Sequence, residues 1–221
     1  MCIKQRRQKL GGLCFMLGGV VYLLAEKIAS LSWNTPFYRY STNYISDLGV
    51  AQCGVMTDGR DLCSPLHVVM NSGFIIEGVL FLIACWCLKP LFTGFAGKLF
   101  LTFGLLHGVG GVLIAVFHSE PQGAMLGNMS VHQFGAVLAI IGGNLTLLSA
   151  GWSRWHSPQW RIYSRLSWVL GVIGLLNVMI LTTGVLPTGL AERGSVYSIT
   201  FWQIFTGVYL LVRQKTLWRT A

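Results

Sequence analysis

The stretch FAGKLFLTFGLLHGVGGVLIAVF, residues 95–117, decides the fold of this chain. It contains a single charged residue, Lys98, and it is long enough to cross a bilayer, which needs about 20 apolar residues in a helix. Small residues recur along it every three or four positions and so share one helical face. They are Gly104, Gly108, Gly111 and Ala115. We therefore predict a transmembrane helix that packs closely against a neighbour.

Five further apolar stretches of similar length lie on either side of this one. Hydrophobic residues make up 53% of the 221 residues and charged residues only 10%, and the mean hydropathy is +0.62. This leaves too few polar residues to cover a soluble protein of this size. We predict one all-α domain over residues 1–221, a polytopic membrane protein with a bundle of six transmembrane helices. The predicted helices are residues 10–29, 65–87, 95–117, 131–150, 166–186 and 195–212.

The 16 Lys and Arg residues are distributed unevenly between the two ends of the predicted bundle. Short cytoplasmic loops carry the excess of basic residues, so we predict cytoplasmic N and C termini in a bacterial inner (plasma) membrane. The net charge of +9 then favours membrane lipids with anionic headgroups as partners and does not indicate nucleic acid. Twelve lie at the predicted cytoplasmic end: Lys4, Arg6, Arg7, Lys9, Lys89, Lys98, Arg154, Arg161, Arg165, Arg213, Lys215 and Arg219. Four lie at the other end: Lys27, Arg39, Arg60 and Arg193.

The first apolar stretch, residues 10–29, follows a basic segment and has an alternative interpretation as a secretory signal. Glu26 and Lys27 occupy the positions where small residues precede a cleavage site. We interpret the stretch as an uncleaved first helix.

Two cysteines lie in the one long predicted outer segment, residues 30–64. In an oxidising compartment Cys53 and Cys63 are expected to form a disulfide, which contributes roughly 2 to 3 kcal/mol by closing a short loop. The alternative is two free thiols.

Short polar motifs recur at the same predicted end of the bundle. They are NYISDLG at residues 43–49, SPLHVVMN at residues 64–71, a lone His132 at the start of helix four, and GLAER at residues 189–193. Their order and positions resemble the uncharacterised six-helix membrane family catalogued as domain of unknown function nine-nine-eight. The resemblance implies the same fold and a set of polar positions, but no reaction. The matching residues are Asn43, Ser46, Asp47, Gly49, Ser64, Pro65, Asn71, His132, Gly189, Glu192 and Arg193.

Members of that family often have a Phe-Pro pair after helix three, whereas this chain has Phe117 followed by His118-Ser119-Glu120-Pro121. No role for His118 therefore follows from the resemblance.

These motifs predict an outward-facing polar pocket whose candidate residues are Asn43, Ser46, Asp47, Ser64, His67, Asn71, His118, His132, Glu192 and Arg193. Three interpretations stay open, and the sequence does not decide whether the protein is an enzyme. The leading one is a pocket without cofactor that binds a lipid or small amphiphile. The second is a membrane-embedded hydrolase of a lipid ester or amide, with a divalent metal such as zinc held by Asp47, His67, His118 and His132. The third is a structural cluster in which Asp47 caps a helix or pairs with Arg193.

A second polar layer is predicted near the middle of the membrane. Counting 1.5 Å per residue puts one polar residue on each of five helices about 15 to 18 Å from the outer helix ends. They are Glu77, His107, Asn144, Asn177 and Gln203. An ionisable group at that depth costs several kcal/mol unless it is neutral or paired, so Glu77 is expected to be protonated or hydrogen-bonded to a neighbour such as His107. The layer indicates either a proton or substrate path or interhelical hydrogen bonds.

Other classes of membrane protein lack their usual signals. His107 is the one histidine well inside a predicted helix, whereas haem b needs two at matching depth. No glycine-rich phosphate loop accompanies an α/β unit, and the two halves show no repeat of the kind common in secondary transporters. A homo-oligomer stays open.

Overall fold

The computed structural model describes residues 3–56, 58–119 and 127–219. Within these residues the chain forms six long helices, each long and apolar enough to cross a membrane. The prediction of an all-α polytopic membrane protein is confirmed. The helices are α1 (Ile3–Ser32), α2 (His67–Leu88), α3 (Gly94–Val116), α4 (Asn128–Ser153), α5 (Arg161–Thr183) and α6 (Thr188–Arg219).

Several helices extend beyond their predicted apolar stretches. α1 begins at Ile3 and α6 continues to Arg219, because Lys, Arg and Gln are good helix formers and apolar content marks only the part of a helix inside the bilayer. α5 ends three residues earlier than predicted, at Thr183. Gly184 follows it with a φ of +67°, the left-handed conformation that commonly ends a helix. Pro187 then precedes α6.

The segment between α1 and α2, residues 33–66, is called the loop segment below. It contains a 3₁₀ turn at Ser46–Gly49 and an antiparallel hairpin of two short strands, β1 (Gly54–Val55) and β2 (Asp61–Leu62), which the sequence did not predict. Cys53 and Cys63 are joined by a disulfide beside this hairpin. Apolar side chains of the segment are fully buried against the helices, so it closes one end of the bundle. They include Trp33, Ile45, Leu48 and Leu62.

The helices follow one another around a closed ring. Each helix packs against the next in sequence, and α6 returns to pack against α1 and also contacts α4. α5 packs against α4 and α6 and is peripheral, with only 17% of its membrane window buried. Most of α5 therefore faces the lipid.

The ring has two ends, which we name by their residues. The loop end comprises residues 33–66, 117–119 and 184–187, and the basic end comprises residues 3–9, 89–93, 154–160 and 213–219. Because the helices alternate in direction, both termini lie at the basic end.

Small residues allow the closest helix contacts. The predicted small-residue face of α3 packs against α2, where a Cβ built on Gly108 would lie 2.6 Å from the carbonyl oxygen of Gly78. A second such contact was not predicted. Gly110 faces α4, where a Cβ would lie 2.4 Å from the backbone nitrogen of Ala139 and 2.5 Å from the carbonyl oxygen of Gly135. The backbone of α3 therefore lies in close contact with the backbones of both α2 and α4.

Candidate functional site

Arg193, in the first turns of α6, is buried at the loop end and binds groups from three parts of the chain. Its guanidinium donates to Glu26 Oε1 of α1 at 3.0 Å and to the carbonyl oxygens of Tyr40, Asn43 and Gly189 at 2.7, 2.9 and 3.1 Å. It also donates to the Tyr38 hydroxyl. The Tyr197 hydroxyl donates to Glu26 Oε2 at 2.9 Å. This network ties the loop segment to α1 and α6.

Asp47 forms an ion pair with Arg60 and not with Arg193. Arg60 Nη1 of the loop segment donates to Asp47 Oδ1 at 2.5 Å, and Arg60 Nε donates to Asp58 Oδ2 at 2.8 Å. Pairing of Asp47 with Arg193, one of the two contacts considered for Asp47 in a structural cluster, is wrong, because each of the two side chains is held by another group of opposite charge. Asp47 also accepts the backbone N–H of Tyr44 at 2.9 Å. Burial raises the pKa of the Asp47 carboxyl, and the Arg60 guanidinium opposes that shift without cancelling it.

Ser64 and Asn71 fasten the 3₁₀ turn of the loop segment to the start of α2. The Ser64 hydroxyl donates to the carbonyl oxygen of Leu48 at 2.7 Å, and Asn71 Nδ2 donates to that of Gly49 at 2.9 Å. Asn43 accepts the backbone N–H of Arg39 at 3.0 Å. These three candidate residues shape the loop segment through backbone contacts.

His118 and His132 lie close enough to interact electrostatically, whereas His67 makes a local contact at the start of α2. His67 Nδ1 is 3.2 Å from the Ser64 carbonyl oxygen, and this side chain lines neither of the two cavities described below. His132 Nδ1 lies 2.9 Å from the carbonyl oxygen of Phe117, the residue before His118. In the part of the chain that the structure describes, no three His, Cys, Asp or Glu side chains come close enough together to hold a metal ion.

A cavity of about 320 Å³, the vestibule, opens at the loop end between α4, α6 and the loop segment. Its lining contains both polar and apolar side chains. The polar lining residues are Tyr44, Ser46, Asp47, Asp58, Arg60, Ser119, His132, Gln133 and Glu192. The apolar lining residues are Met56, Met129, Ala136, Ile140 and Leu181.

A smaller cavity of about 50 Å³, the inner cavity, lies deeper in the bundle and is lined mainly by apolar side chains. Its polar floor contains Glu77 and His107. The two cavities share four lining residues, which we call the neck: Ser46, Ala136, Ile140 and Glu192. The neck lies between the polar residues of the loop end and the buried pair of Glu77 and His107.

Glu77 and His107 share one proton across their hydrogen bond, in addition to the hydrogen on His107 Nδ1. His107 Nδ1 lies 2.6 Å from the Ala139 carbonyl oxygen, which can only accept, so Nδ1 carries a hydrogen. Nε2 lies 3.1 Å from Glu77 Oε1. One proton is shared across this contact, either as an imidazolium that donates to a carboxylate or as a carboxylic acid that donates to a neutral ring. Either form leaves the pair without net charge, as burial requires.

The other predicted members of the midplane layer divide into two groups. When the Gln203 amide is oriented to satisfy both its atoms, its nitrogen donates to Glu77 Oε1 at 3.1 Å. Asn144 Nδ2 instead donates to the carbonyl oxygens of Ile140 and Ser195 at 2.9 and 3.3 Å. Asn177 Nδ2 donates to the Ile173 carbonyl oxygen of its own helix at 2.9 Å. Equal depth therefore does not bring the five side chains together, because helix rotation sets which neighbour each one faces.

The family model for proteins of unknown function (DUF998) matches residues 16–209, which include most of all six helices. The chain belongs to the DUF998 family. No curated protein and no solved structure matches it. The family assignment confirms the resemblance drawn from the sequence motifs and supplies no reaction.

Two residues important at the loop end of this DUF998 protein were not predicted as site residues. Glu26 was interpreted only as evidence against signal cleavage, although it is a carboxylate inside an apolar stretch and is 2% exposed. The argument that singled out Glu77 applies equally to Glu26 and indicates a buried partner. Arg60 was counted only among the basic residues. Its place in a polar loop carries no sequence signal that Asp47 is its partner.

Proposed function

We propose that this integral multi-pass membrane protein binds a small amphiphile or a lipid headgroup in the vestibule. The observation that carries the proposal is a cavity lined by both polar and apolar side chains, which shares the neck residues with a second cavity deeper in the bundle. Its volume of about 320 Å³ falls within the range of small-molecule sites, roughly 300 to 1,000 Å³. No covalent step is part of the proposal.

The lining residues support a placement of such a ligand. The polar head lies among Asp47, His132 and Glu192, and the apolar part lies against Met129 and Leu181. Arg60 is 27% exposed at its side chain and keeps donor groups at the cavity surface, whereas Asp47 is 1% exposed and already hydrogen-bonded. Asp47 thus supports Arg60, and we assign it no role as a general base.

We also propose that the loop end faces the outside of a bacterial inner membrane. The twelve basic residues assigned to the opposite end and the Cys53–Cys63 disulfide at the loop end support this orientation. Reporters fused after Lys89 and after Arg161 are expected to be cytoplasmic, and one fused after Gly189 is expected to be exported. An exported reporter after Arg161 contradicts the orientation.

The neck offers a direct test of ligand binding. Ala136→Leu fills the passage with three additional carbon atoms and is expected to reduce the lipid or amphiphile that copurifies with the protein by about tenfold, because a bulky side chain excludes the ligand from a well-fitted cavity. Native mass spectrometry of protein extracted in mild detergent measures the retained molecules.

The neighbouring Val137 supplies the matched control. It is 52% exposed on the outer face of α4, so Val137→Leu enlarges the same helix without entering either cavity. Detergent melting of both variants verifies that each is folded. Equal retention by the wild type and a folded Ala136→Leu variant contradicts the proposed site.

A further inference from the structure

The two connected cavities are acidic, although the chain as a whole is basic. Asp47, Asp58, Glu77 and Glu192 line them, four of the seven acidic residues in a chain of net charge +9. Glu77 forms a pair without net charge with His107, so the acidic character comes from Asp47, Asp58 and Glu192. Among the lining residues that the structure describes, Arg60 is the one Lys or Arg out of 16 in the chain. This distribution favours a cationic occupant over an anionic one.

Among the described residues, Glu192 in the neck is the one of these four acidic residues that forms no ion pair. It is 7% exposed and lines both cavities. Its Oε2 accepts the backbone N–H of Ile45 at 2.5 Å. Within residues 3–56, 58–119 and 127–219, its Oε1 has no hydrogen-bond partner and its carboxyl group makes no ion pair. A buried carboxyl group with an unused oxygen at a cavity wall is suited to accept from a bound group.

The cations nearest to the neck are engaged by other groups. The Arg193 guanidinium is held by Glu26 and by the loop segment. Arg60 is shared between Asp47 and Asp58, and His107 is paired with Glu77. His132, the remaining basic residue on the vestibule, contacts the Phe117 carbonyl oxygen. Arg193 lies close enough to attract Glu192, but among the described residues none of these cations forms an ion pair with it.

We propose that Glu192 binds the ammonium group of a cationic amphiphile, a protonated primary amine with a short apolar tail. The proposal rests on the proposed function, because it names the chemical class of ligand that the vestibule accepts. An ammonium group has three donors, so it can donate to Glu192 Oε1 while it also donates to the Ser46 hydroxyl in the neck. The apolar tail then lies against the apolar lining residues of the vestibule, such as Met129 and Leu181. Asp47 and Asp58 attract the cation toward the neck.

Three probes with eight carbon atoms each separate charge from apolar contact. The wild-type protein in nanodiscs is titrated by calorimetry at pH 7 with octylamine, 1-octanol and octanoate, with empty nanodiscs subtracted as the blank. Octylamine is expected to bind about tenfold more tightly than 1-octanol, and octanoate most weakly, because only the ammonium forms a charge-assisted hydrogen bond with Glu192.

Glu192→Gln tests the residue itself. The amide retains an oxygen for the Ile45 N–H but cannot ionise to pair with an ammonium group, so octylamine is expected to lose about tenfold in affinity while 1-octanol is unchanged. Asp61→Asn is the matched control, because Asp61 lies at the same end, is exposed and lines neither cavity. It is expected to leave all three affinities unchanged.

The outcomes separate this inference from the proposed function. If none of the three probes binds the wild type, both fail. If 1-octanol binds as tightly as octylamine, or octanoate binds most tightly, the vestibule accepts an amphiphile and the amine assignment is overturned. Octylamine binding that is unchanged in folded Glu192→Gln also overturns it.

Should Glu192→Gln not fold, Asp58→Asn decides, since the Asp58 side chain is 52% exposed. An octylamine affinity about threefold lower than wild type supports the proposal, and an unchanged one rejects it.

Discussion

Replacement of Arg193 by alanine is expected to lower the free energy of unfolding by roughly 3 to 5 kcal/mol, the usual cost of removing one partner of a buried ion pair. The loss is large because Glu26 is 2% exposed and would keep a buried charge without its cation. The carbonyl oxygens of Tyr40 and Asn43 would lose a donor at the same time. The loop segment would then separate from α6. Chemical unfolding in detergent micelles measures the effect.

A double-mutant cycle with Glu26→Gln identifies the partner. If Glu26 and Arg193 form the pair, the loss in the double variant is smaller than the sum of the two single losses by at least about 1 kcal/mol. Arg39→Ala is the control, because Arg39 is an exposed arginine of the same segment. The Arg39→Ala substitution is expected to change the free energy of unfolding by no more than about 0.5 kcal/mol. An Arg193→Ala loss no larger than that of Arg39→Ala contradicts the buried network.

Gly110→Val is expected to destabilise the protein by about 3 kcal/mol, the upper end of the usual cost of overpacking. A Cβ at this position would lie 2.4 Å from the backbone nitrogen of Ala139, and a backbone atom cannot rotate away as a side chain can. α3 and α4 must therefore move apart by about 1 Å to restore normal contact. That movement also displaces the Ala139 carbonyl oxygen from His107, so the inner cavity is expected to change with the packing.

Val109→Leu provides the control for Gly110→Val. Val109 precedes Gly110 on the same helix and is 46% exposed toward the lipid, so a larger apolar side chain is accommodated there. Detergent melting should show a clear loss for Gly110→Val and almost none for Val109→Leu. A wild-type melting temperature for Gly110→Val means that α3 and α4 are not packed at backbone distance.

Several of the polar residues on which the family resemblance was drawn hold the loop segment in place beside the vestibule. Ser64 and Asn71 hold the 3₁₀ turn against α2, and Arg193 holds the chain just before that turn against α1 and α6. Asp47 then orients Arg60 at the cavity surface. Glu192 differs from these residues, since one of its oxygens remains available at the neck. The polar positions named by the resemblance therefore divide into supports of the loop segment and one candidate ligand-binding group.

The sequence by itself determined the class of fold, because a backbone inside lipid must satisfy its own hydrogen bonds and an apolar stretch such as residues 95–117 can do so only as a helix. Depth along each helix also follows from counting residues, so Glu77 and His107 were expected at a common level. The same counting put Asn144 and Asn177 at that level, but the structure turns them toward other backbone groups.

Only the tertiary structure decided which polar groups meet. Arg193 reaches Glu26 across 167 residues because α6 closes the ring against α1, and this closure depends on packing along the whole bundle. Asp47 pairs with Arg60 because the disulfide-linked hairpin turns the loop segment back upon itself. The rotation of each helix is set by contacts such as Gly108 on Gly78 and Gly110 on Ala139, which no single stretch of sequence contains. The neck and the unused oxygen of Glu192 result from these contacts together.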